Sequence, residues 1–344
     1  MASTDPTPGT DAPPRARPPA KSKLVSRLVL GLALGIATFL LYGFFGDFRA
    51  LGDRLAAFPP GLVAPVLALS LVNYGLRALR WDAYLRLAGV RVKPGLSAGV
   101  FASGLAMSVT PGKLGEVIKV GLLHEAVSAP VAATFPVVVT ERLMDLLSVL
   151  ALAAIGVLRD SGNLDVLAGG VALTAVMFAL LATRPGTRLT FRAAGVLLRR
   201  NVPTALADEA AAVQGRLLRP LPLAGGVLAG AVAWFAEAAG LYLVVVGLGG
   251  DVGIGTATAI YAVGTLAGAL SFLPGGLIAT EGMLAVLLAG TAFSALAGDE
   301  AGAAAFAATT ICRLATLWFA VGLGVVGLLW TRGHLRRSVP PSGS

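Results

Sequence analysis

Long runs of apolar residues, separated by short segments that carry most of the charges, make up the chain from about residue 24 onward. A helix needs about 20 consecutive apolar residues to cross a bilayer, so runs of this kind predict membrane-spanning helices. Six spans are predicted, at 24–45, 61–75, 132–158, 164–182, 221–248 and 303–330. The run at 24–45 is too long for the core of a signal peptide, so we expect it to be retained. The pattern predicts an all-α polytopic membrane protein.

Two further apolar stretches, 94–124 and 255–297, are interrupted by helix-breaking residues. These residues are Pro111 and Gly112 in the first stretch, and Pro274, Gly275 and Gly276 in the second. A break exposes backbone N–H and C=O groups that hydrocarbon cannot satisfy, so we expect each break to lie against protein or a polar cavity. We predict two re-entrant or broken helical elements. A simple kink, or a loop between two ordinary spans, is the alternative.

The basic residues indicate the orientation. Of the 27 Lys and Arg residues, 22 fall on segments that this topology assigns to the cytoplasm, 3 fall outside and 2 lie within spans. Cytoplasmic loops of membrane proteins carry such an excess, so both termini are predicted to be cytoplasmic. Three crossings lie between the two broken elements, which therefore open from opposite sides. This predicts an inverted repeat with halves at about 61–182 and 221–330.

The remaining segments are polar. Residues 1–23 lack apolar periodicity and are predicted to form a disordered cytoplasmic tail, and 331–344 form a second cytoplasmic tail. Between the two repeat halves, 184–219 carries seven arginines among Ala, Leu and Val, which is typical of an amphipathic helix on the inner leaflet. The net charge of +9 is explained by these loops and favours contact with anionic headgroups over nucleic acid.

The broken elements also carry charged residues, which are costly in a membrane and therefore indicate a functional site. Glu116 and Glu281 follow the two breaks, and Lys113 lies between Gly112 and Glu116. A half-helix that begins after each break would direct its positive end at a phosphate or carboxylate. The two glutamates could bind a headgroup amine, relay protons or pair with arginines. Lys113 could contact phosphate or extend to the cytoplasmic surface.

Two arginines lie inside predicted spans. Arg142 has Asp145 three residues later, so the two side chains can meet on one helix face. Arg313 has no acidic neighbour within three helical turns. We therefore expect its partner to come from elsewhere in the fold, and Glu281, Glu116 or a lipid phosphate are the alternatives.

Arg77, Arg80 and Trp81 follow the second predicted span. Basic and aromatic residues at this position favour anchoring at the cytoplasmic interface, with headgroup binding by Arg80 as the alternative. The sequence has no Walker, HExxH or CxxC motif, and Cys312 is the single cysteine. We therefore predict no catalytic residue, no metal site and no cofactor.

Several motifs together resemble a known family. They are Arg80-Trp81, the block SVTPGKLGEVIK at 108–119, Thr140-Glu141-Arg142-Leu143 with Asp145, and the late LPGG block at 273–276 with Glu281 and Arg313. This arrangement resembles the membrane domain of the lysylphosphatidylglycerol synthases and their free-standing bacterial and archaeal relatives with a flippase-like domain. The resemblance covers about residues 24–330. It implies an all-helical bundle with re-entrant elements that moves a lipid between leaflets of the cell (plasma or inner) membrane.

The full-length synthases carry a soluble aminoacyl transferase domain, and we expect none in this chain. We therefore expect no transfer of lysine here, and other phospholipids, polyprenyl-linked sugars or glycolipids remain open as substrates. The leading hypothesis is a flippase for an anionic lipid headgroup. A membrane-embedded enzyme acting on a lipid-linked sugar, and a scaffold subunit that partners a cell-envelope enzyme, are the alternatives.

Overall fold

A computed structural model describes residues 48–110, 113–160, 164–197, 202–296 and 299–338. Several predictions concern residues outside these ranges. They are the disordered tail 1–23, the first span 24–45, the break residues Pro111 and Gly112, and residues 339–344 of the C-terminal tail.

The first part of the chain forms six helices in the described residues. They are α1 (Phe48–Ala56), α2 (Val63–Leu87), α3 (Pro94–Leu105), α4 (Ile118–Val127), α5 (Val131–Asp160) and α6 (Leu164–Ala182). Short 3₁₀ turns, Pro60–Leu62 and Leu114–Val117, precede α2 and α4. At about 1.5 Å per residue, α3 and α4 are too short for either to cross the roughly 30 Å hydrocarbon core alone.

The second part of the chain is also helical. Its helices are α7 (Arg184–Leu197), α8 (Thr204–Leu217), α9 (Pro220–Gly247), α10 (Ile254–Ser271), α11 (Ala279–Gly290), α12 (Asp299–Arg313) and α13 (Phe319–Ser338). A π-helical turn, Leu314–Trp318, joins α12 to α13. Because this turn continues the helix, α12 and α13 form one long rod.

Five helical stretches of the described residues are long and apolar enough to cross a membrane: Pro60–Leu87, Asp165–Ala182, Pro220–Gly247, Ile254–Ser271 and Asp299–Arg337. Four of them overlap predicted spans. The predicted span 132–158 is present as the 30-residue helix α5, in which Glu141, Arg142 and Asp145 lower the hydropathy. The class of an all-helical, multi-pass membrane protein is confirmed.

The second span differs from its prediction. It does not stop near Gly75, because α2 continues to Leu87 and includes Arg77, Arg80 and Trp81. These three side chains are buried inside the protein, so interfacial anchoring is wrong for them. A carboxylate on α5 neutralises the arginines and allows the helix to continue.

In two other segments the helix boundaries differ from the prediction. The stretch 184–219 is two helices, α7 and α8, and α8 packs against α5 as well as against α7. The second broken stretch begins with α10, whose 18 residues could cross the membrane by themselves. Only after α10 does the chain break, at 272–278, where Phe272, Gly275, Gly276 and Ile278 all have positive φ.

Helix packing follows a reciprocal pattern. The short helix α3 of the first half packs along α13 of the second half, and α10 of the second half packs along α5 of the first. The helices α2 and α9, which begin the two halves, pack against each other. The α3–α13 contact depends on glycine, since a Cβ on Gly324 would lie 2.0 Å from the backbone nitrogen of Ala106.

Candidate functional site

A buried carboxylate, Asp145 on α5, is the meeting point of three arginines. Arg77 Nη2 donates to Asp145 Oδ2 at 3.1 Å, and Arg80 Nη2 donates to Asp145 Oδ1. Arg142, one turn before Asp145 on α5, approaches the same Oδ2 to 3.1 Å. The meeting of Arg142 and Asp145, predicted from their spacing, is confirmed. Three guanidinium groups therefore share one carboxylate.

Arg142 connects this group to a second set of charges. Its Nη1 lies 3.1 Å from Glu116 Oε1, in the 3₁₀ turn that follows the first break. Lys119 Nζ lies 3.2 Å from Glu116 Oε2 and donates to Glu141 Oε2 at 2.6 Å. Lys119 is fully buried, with its ammonium 4.5 Å from the centroid of the Trp81 ring.

We call these residues the first ionic cluster: Arg77, Arg80, Lys119, Arg142, Glu116, Glu141 and Asp145. Four cations face three carboxylates, so the cluster carries a formal charge of +1 when all are ionised. Lys113 adds a further positive charge nearby, because its ammonium and the Arg77 guanidinium both lie over the Trp234 ring of α9, at 5.5 and 5.4 Å from its centroid. An excess of buried positive charge favours binding of an anion.

Several donors of this cluster also remain available. Within the described part of the chain, Arg77 Nε, Arg80 Nε and Arg142 Nε are buried and make no hydrogen bond. A buried donor without an acceptor costs about 1–3 kcal/mol. The side chain of Arg142 is 18% exposed, whereas those of Arg77 and Arg80 are 5% or less, so Arg142 is the arginine best able to reach a ligand.

The second half contains a smaller counterpart, the second ionic cluster, formed by Glu281 and Arg313. Arg313 Nε donates to Glu281 Oε1 at 2.6 Å, which identifies Glu281 among the three predicted partners. Arg313 Nη2 donates to the carbonyl oxygen of Gly275 at 2.7 Å. Arg313 therefore binds both Glu281, which follows the second break, and the backbone of the break at Gly275.

The two breaks contact each other. Val109 of the first break, Leu277 of the second and Leu317 of the π-helical turn form one small hydrophobic cluster. A Cβ on Gly275 would lie 3.5 Å from Val109 Cα. The first ionic cluster includes Glu116, which follows the first break, and the second includes Glu281, which follows the second break.

The predicted site residues divide between these clusters. Arg80, Glu116 and Arg142 belong to the first ionic cluster, and Glu281 and Arg313 form the second. Lys113 is half-buried beside Trp234, in a left-handed conformation with φ 55°. Pro274, Gly275 and Gly276 form the second break.

Other residues of this region were missed as site residues. Arg77 could have been found from its position three residues before Arg80 on one helix face. Trp234 and Tyr261 gave no signal in the sequence, since aromatic residues are common in apolar helices. Tyr261 donates a hydrogen bond to Glu237 Oε2, and both side chains are buried.

The described residues contain no group of three His, Cys, Asp or Glu side chains placed to hold a metal ion. Each carboxylate of the first ionic cluster is instead in contact with Lys or Arg. The arrangement can bind an anion by exchange, because an incoming phosphate or carboxylate can replace a glutamate at an arginine.

The fold and these clusters define a multi-pass helical membrane protein with ionic groups buried between its helices. The chain belongs to the family described as the lysylphosphatidylglycerol synthase TM region, whose model matches residues 28–324. The resemblance noted from the motifs is confirmed.

Two relatives extend this result. A UPF0104 membrane protein of Methanothermobacter thermautotrophicus is 26% identical over 303 residues, which cover 80% of this chain and 87% of that protein. The glycosyltransferase AglD of Haloferax volcanii is 32% identical over 128 residues. That match covers 35% of this chain and 20% of AglD, so it concerns one part of each protein.

Proposed function

We propose that the protein moves an anionic lipid headgroup, a phospholipid or a lipid-linked sugar phosphate, between the leaflets of the cell membrane. The observation that carries this proposal is the pair of arginine–glutamate contacts, Arg142–Glu116 and Arg313–Glu281, in which one glutamate follows each of the two breaks that contact each other. Each pair presents a cation that a phosphate can reach by displacing a carboxylate.

Glu116 and Arg313 each keep a second partner during this exchange. When phosphate replaces Glu116 at Arg142, Glu116 keeps Lys119 at 3.2 Å. When phosphate replaces Glu281 at Arg313, the guanidinium keeps the Gly275 carbonyl. The headgroup passes from Lys113 and Arg142 to Arg313 while the acyl chains remain in lipid. Headgroup transfer through polar protein avoids the high cost of moving a charge through hydrocarbon.

The route requires access from both leaflets, and an inverted repeat supplies it. The reciprocal packing of α3 on α13 and α10 on α5 supports two related halves, and the distribution of basic residues supports their opposite orientation. The first break then opens from the cytoplasm and the second from the outside. Broken helices that meet near the bilayer midplane form the substrate site in transporters built from inverted repeats.

Reconstitution in liposomes tests this function. The purified protein is incorporated into vesicles containing phosphatidylglycerol that bears a fluorescent reporter on one leaflet, and reporter movement is followed by quenching. Loss of a charged hydrogen bond in the transfer step is worth about 1.5–3 kcal/mol, so Arg142→Ala and Arg313→Ala should each slow transfer about tenfold or more.

Arg86→Ala provides the matched control. It removes one positive charge from α2, but the Arg86 side chain is 67% exposed and pairs with Asp82 on the same helix. Transfer by this variant should equal that of the unmodified protein. Equal rates for Arg142→Ala, Arg313→Ala and Arg86→Ala would refute the proposed route.

A second function, an enzyme acting on a lipid-linked sugar, is favoured by the partial similarity to AglD and by the convergence of Glu116 and Glu141 on Lys119 Nζ. A general base must reach the proton that it removes. Product formation from a polyprenyl-phosphate sugar, lost in Glu116→Gln and Glu141→Gln, would favour this enzyme. Lipid movement without product formation would favour the translocase.

A further inference from the structure

Glu237 is a buried carboxyl group in the interior of α9 that the proposed headgroup route does not use. It is residue 18 of the 28 in Pro220–Gly247, and it is only 4% exposed. Its Oε2 accepts a hydrogen bond from the Tyr261 hydroxyl of α10. A carboxyl group at such a depth in a spanning helix requires an explanation.

The partners of Glu237 differ from those of the other buried carboxyl groups. Glu116, Glu141, Asp145 and Glu281 are each within 4.0 Å of a Lys or Arg nitrogen. Among the residues that the structure describes, Glu237 has no such ion pair, and the hydrogen-bond partner found for it is a neutral phenol. It is therefore buried without a contacting cation.

This environment favours a neutral carboxylic acid. Moving an ionised carboxylate out of water costs several kcal/mol unless a cation repays it, whereas a protonated carboxyl costs far less. The proton would occupy Oε1, which leaves Oε2 free to accept from Tyr261. Glu237 then needs no cation as long as it holds the proton.

The surroundings of Glu237 connect it to both ionic clusters. Trp234 lies one turn before it on α9, and the Trp234 ring contacts Arg77, Lys113 and, at 6.5 Å between centroids, Tyr261. The titratable groups around the carboxyl are Tyr261 on α10, Tyr74 and Arg77 on α2, Asp145 on α5 behind Arg77, Cys312 and Arg313 on α12, and Lys113 of the first break.

Movement of these cations would change the charge that Glu237 can hold. Lys113 and Arg313 are both half-buried residues of the proposed headgroup route, and in the described residues neither forms an ion pair with Glu237. A cation that shifts towards α9 as the headgroup leaves would stabilise the ionised carboxylate. Glu237 would then lose its proton, and it would regain the proton when the cation returns to its glutamate or to the next headgroup.

We propose that Glu237, with Tyr261, is a proton-binding site that couples lipid movement to the proton gradient across the membrane. The coupling rests on the proposed translocase function. One proton binds at Oε1 of Glu237 from one aqueous side and is released to the other during each cycle. A transmembrane proton gradient can then drive a lipid that would otherwise only equilibrate between leaflets.

The transport test uses the full chain in phosphatidylglycerol-containing vesicles with an imposed pH gradient, and compares the rates with and without an ionophore that abolishes the gradient. The unmodified protein should show a several-fold difference between the two rates. Glu237→Gln, which has the same shape but cannot ionise, should show equal rates. Glu209→Gln, at an exposed position on α8, should respond like the unmodified protein.

A second measurement detects the proton itself. Infrared difference spectra of the purified protein, taken between acidic and alkaline buffer, should contain the C=O stretch of a protonated carboxyl group that is absent in Glu237→Gln and retained in Glu209→Gln. Tyr261→Phe removes the donor to Oε2 and should shift the frequency of this band. Identical spectra for the unmodified protein and Glu237→Gln would overturn the proton site.

The transport outcomes separate the two proposals. If the unmodified protein moves lipid equally with and without the gradient, or if Glu237→Gln still responds to the gradient, the coupling is refuted and the translocase stands. If the unmodified protein moves no lipid under any condition, the translocase is refuted and the coupling falls with it. The infrared band then decides independently whether Glu237 binds a proton.

Discussion

The contribution of the buried Arg313–Glu281 ion pair to stability can be measured by a double-mutant cycle. Removal of one partner of a buried ion pair costs about 3–5 kcal/mol, because the other charge is left without compensation. We therefore predict that Arg313→Gln and Glu281→Gln each lower the thermal unfolding temperature in detergent markedly. The double variant should be more stable than the sum of the single effects implies, since neither charge then remains.

Arg54 and Glu300 provide the control for this double-mutant cycle. They form an ion pair at 3.7 Å with side chains 30% and 69% exposed, and exposed pairs contribute about 1 kcal/mol or less. Arg54→Gln, Glu300→Gln and their combination should change the unfolding temperature little. Additive effects of the Arg313 and Glu281 substitutions would mean that the two side chains do not interact in solution.

The sequence identifies the charged residues of the two clusters, but it does not identify all of their ion-pair partners. The Arg142–Asp145 contact follows from helical spacing, since residues three apart share a face. The Arg77 and Arg80 contacts with Asp145 join α2 to α5 across 68 and 65 positions, and spacing within one helix carries no information about them. The sequence consequently favours an interfacial position for Arg80, whereas its side chain lies in the protein interior.

At the scale of helices, the contact between α3 and α13 makes a sharp prediction. A Cβ on Gly324 would lie 2.0 Å from Ala106 N, and backbone atoms cannot move aside as a flexible side chain can. Gly324→Val should separate the two helices and destabilise the protein by about 1–3 kcal/mol, the usual cost of overpacking. Thermal unfolding in detergent measures this loss.

Gly322 is the matched control for Gly324. It lies two residues earlier in the same helix, and a Cβ there would meet no atom within 4 Å. Gly322→Val should therefore leave the unfolding temperature close to that of the unmodified protein. Equal losses for the two variants would indicate a general effect of valine in α13 and would refute the close contact with α3.

The second break makes a prediction about backbone conformation. Gly275 has φ +63° and lies against Val109 of the first break, so a side chain there is both strained and crowded. Gly275→Ala should cost about 1–2 kcal/mol of stability, because the left-handed conformation is unfavourable for residues with a Cβ. It should also slow lipid transfer, since Arg313 binds the Gly275 carbonyl.

Gly282→Ala tests whether this effect is specific to the break. Gly282 lies in α11, where a Cβ would meet no atom within 4 Å and where alanine favours the helix. Its stability should be unchanged or slightly increased, with normal transfer. A Gly275→Ala variant as stable and active as Gly282→Ala would contradict the proposed role of the break.

Helix boundaries were predicted with uneven success for a physical reason. Apolar runs located the spans at 164–182, 221–248 and 303–330 because hydropathy is a local property. Hydropathy failed at α2, where buried arginines looked like a helix end, and at α10, where a complete helix precedes the break. At α2 the contacts that permit the helix come from Asp145, far along the chain.

For the whole molecule, the opposite orientation of the two halves remains the prediction on which the proposed route depends. The distribution of basic residues predicts that 184–219 and the C-terminal end lie inside, and that the segment between α9 and α10 lies outside. Packing between α3 and α13 and between α10 and α5 agrees with two related halves.

Cysteine labelling in intact cells measures this orientation. Cys312 is buried and is first replaced by serine, which leaves no native thiol. In that background, Asp251→Cys and Asp299→Cys, at exposed positions before α10 and at the start of α12, should react with a membrane-impermeant maleimide added outside. Arg219→Cys and Arg337→Cys, also exposed, should react only after the membrane is permeabilised, because the distribution of basic residues predicts the cytoplasmic side for them.

The positions before and after the second broken element decide the result. If 251 and 299 both react from outside, α10 and α11 together enter and leave the membrane on one side, as an element open to the outside requires. If they react from opposite sides, the element crosses the membrane completely, and Glu281 and Arg313 cannot receive a headgroup from the outer leaflet in the proposed way. The orientation of these two residues thus tests the repeat and the route together.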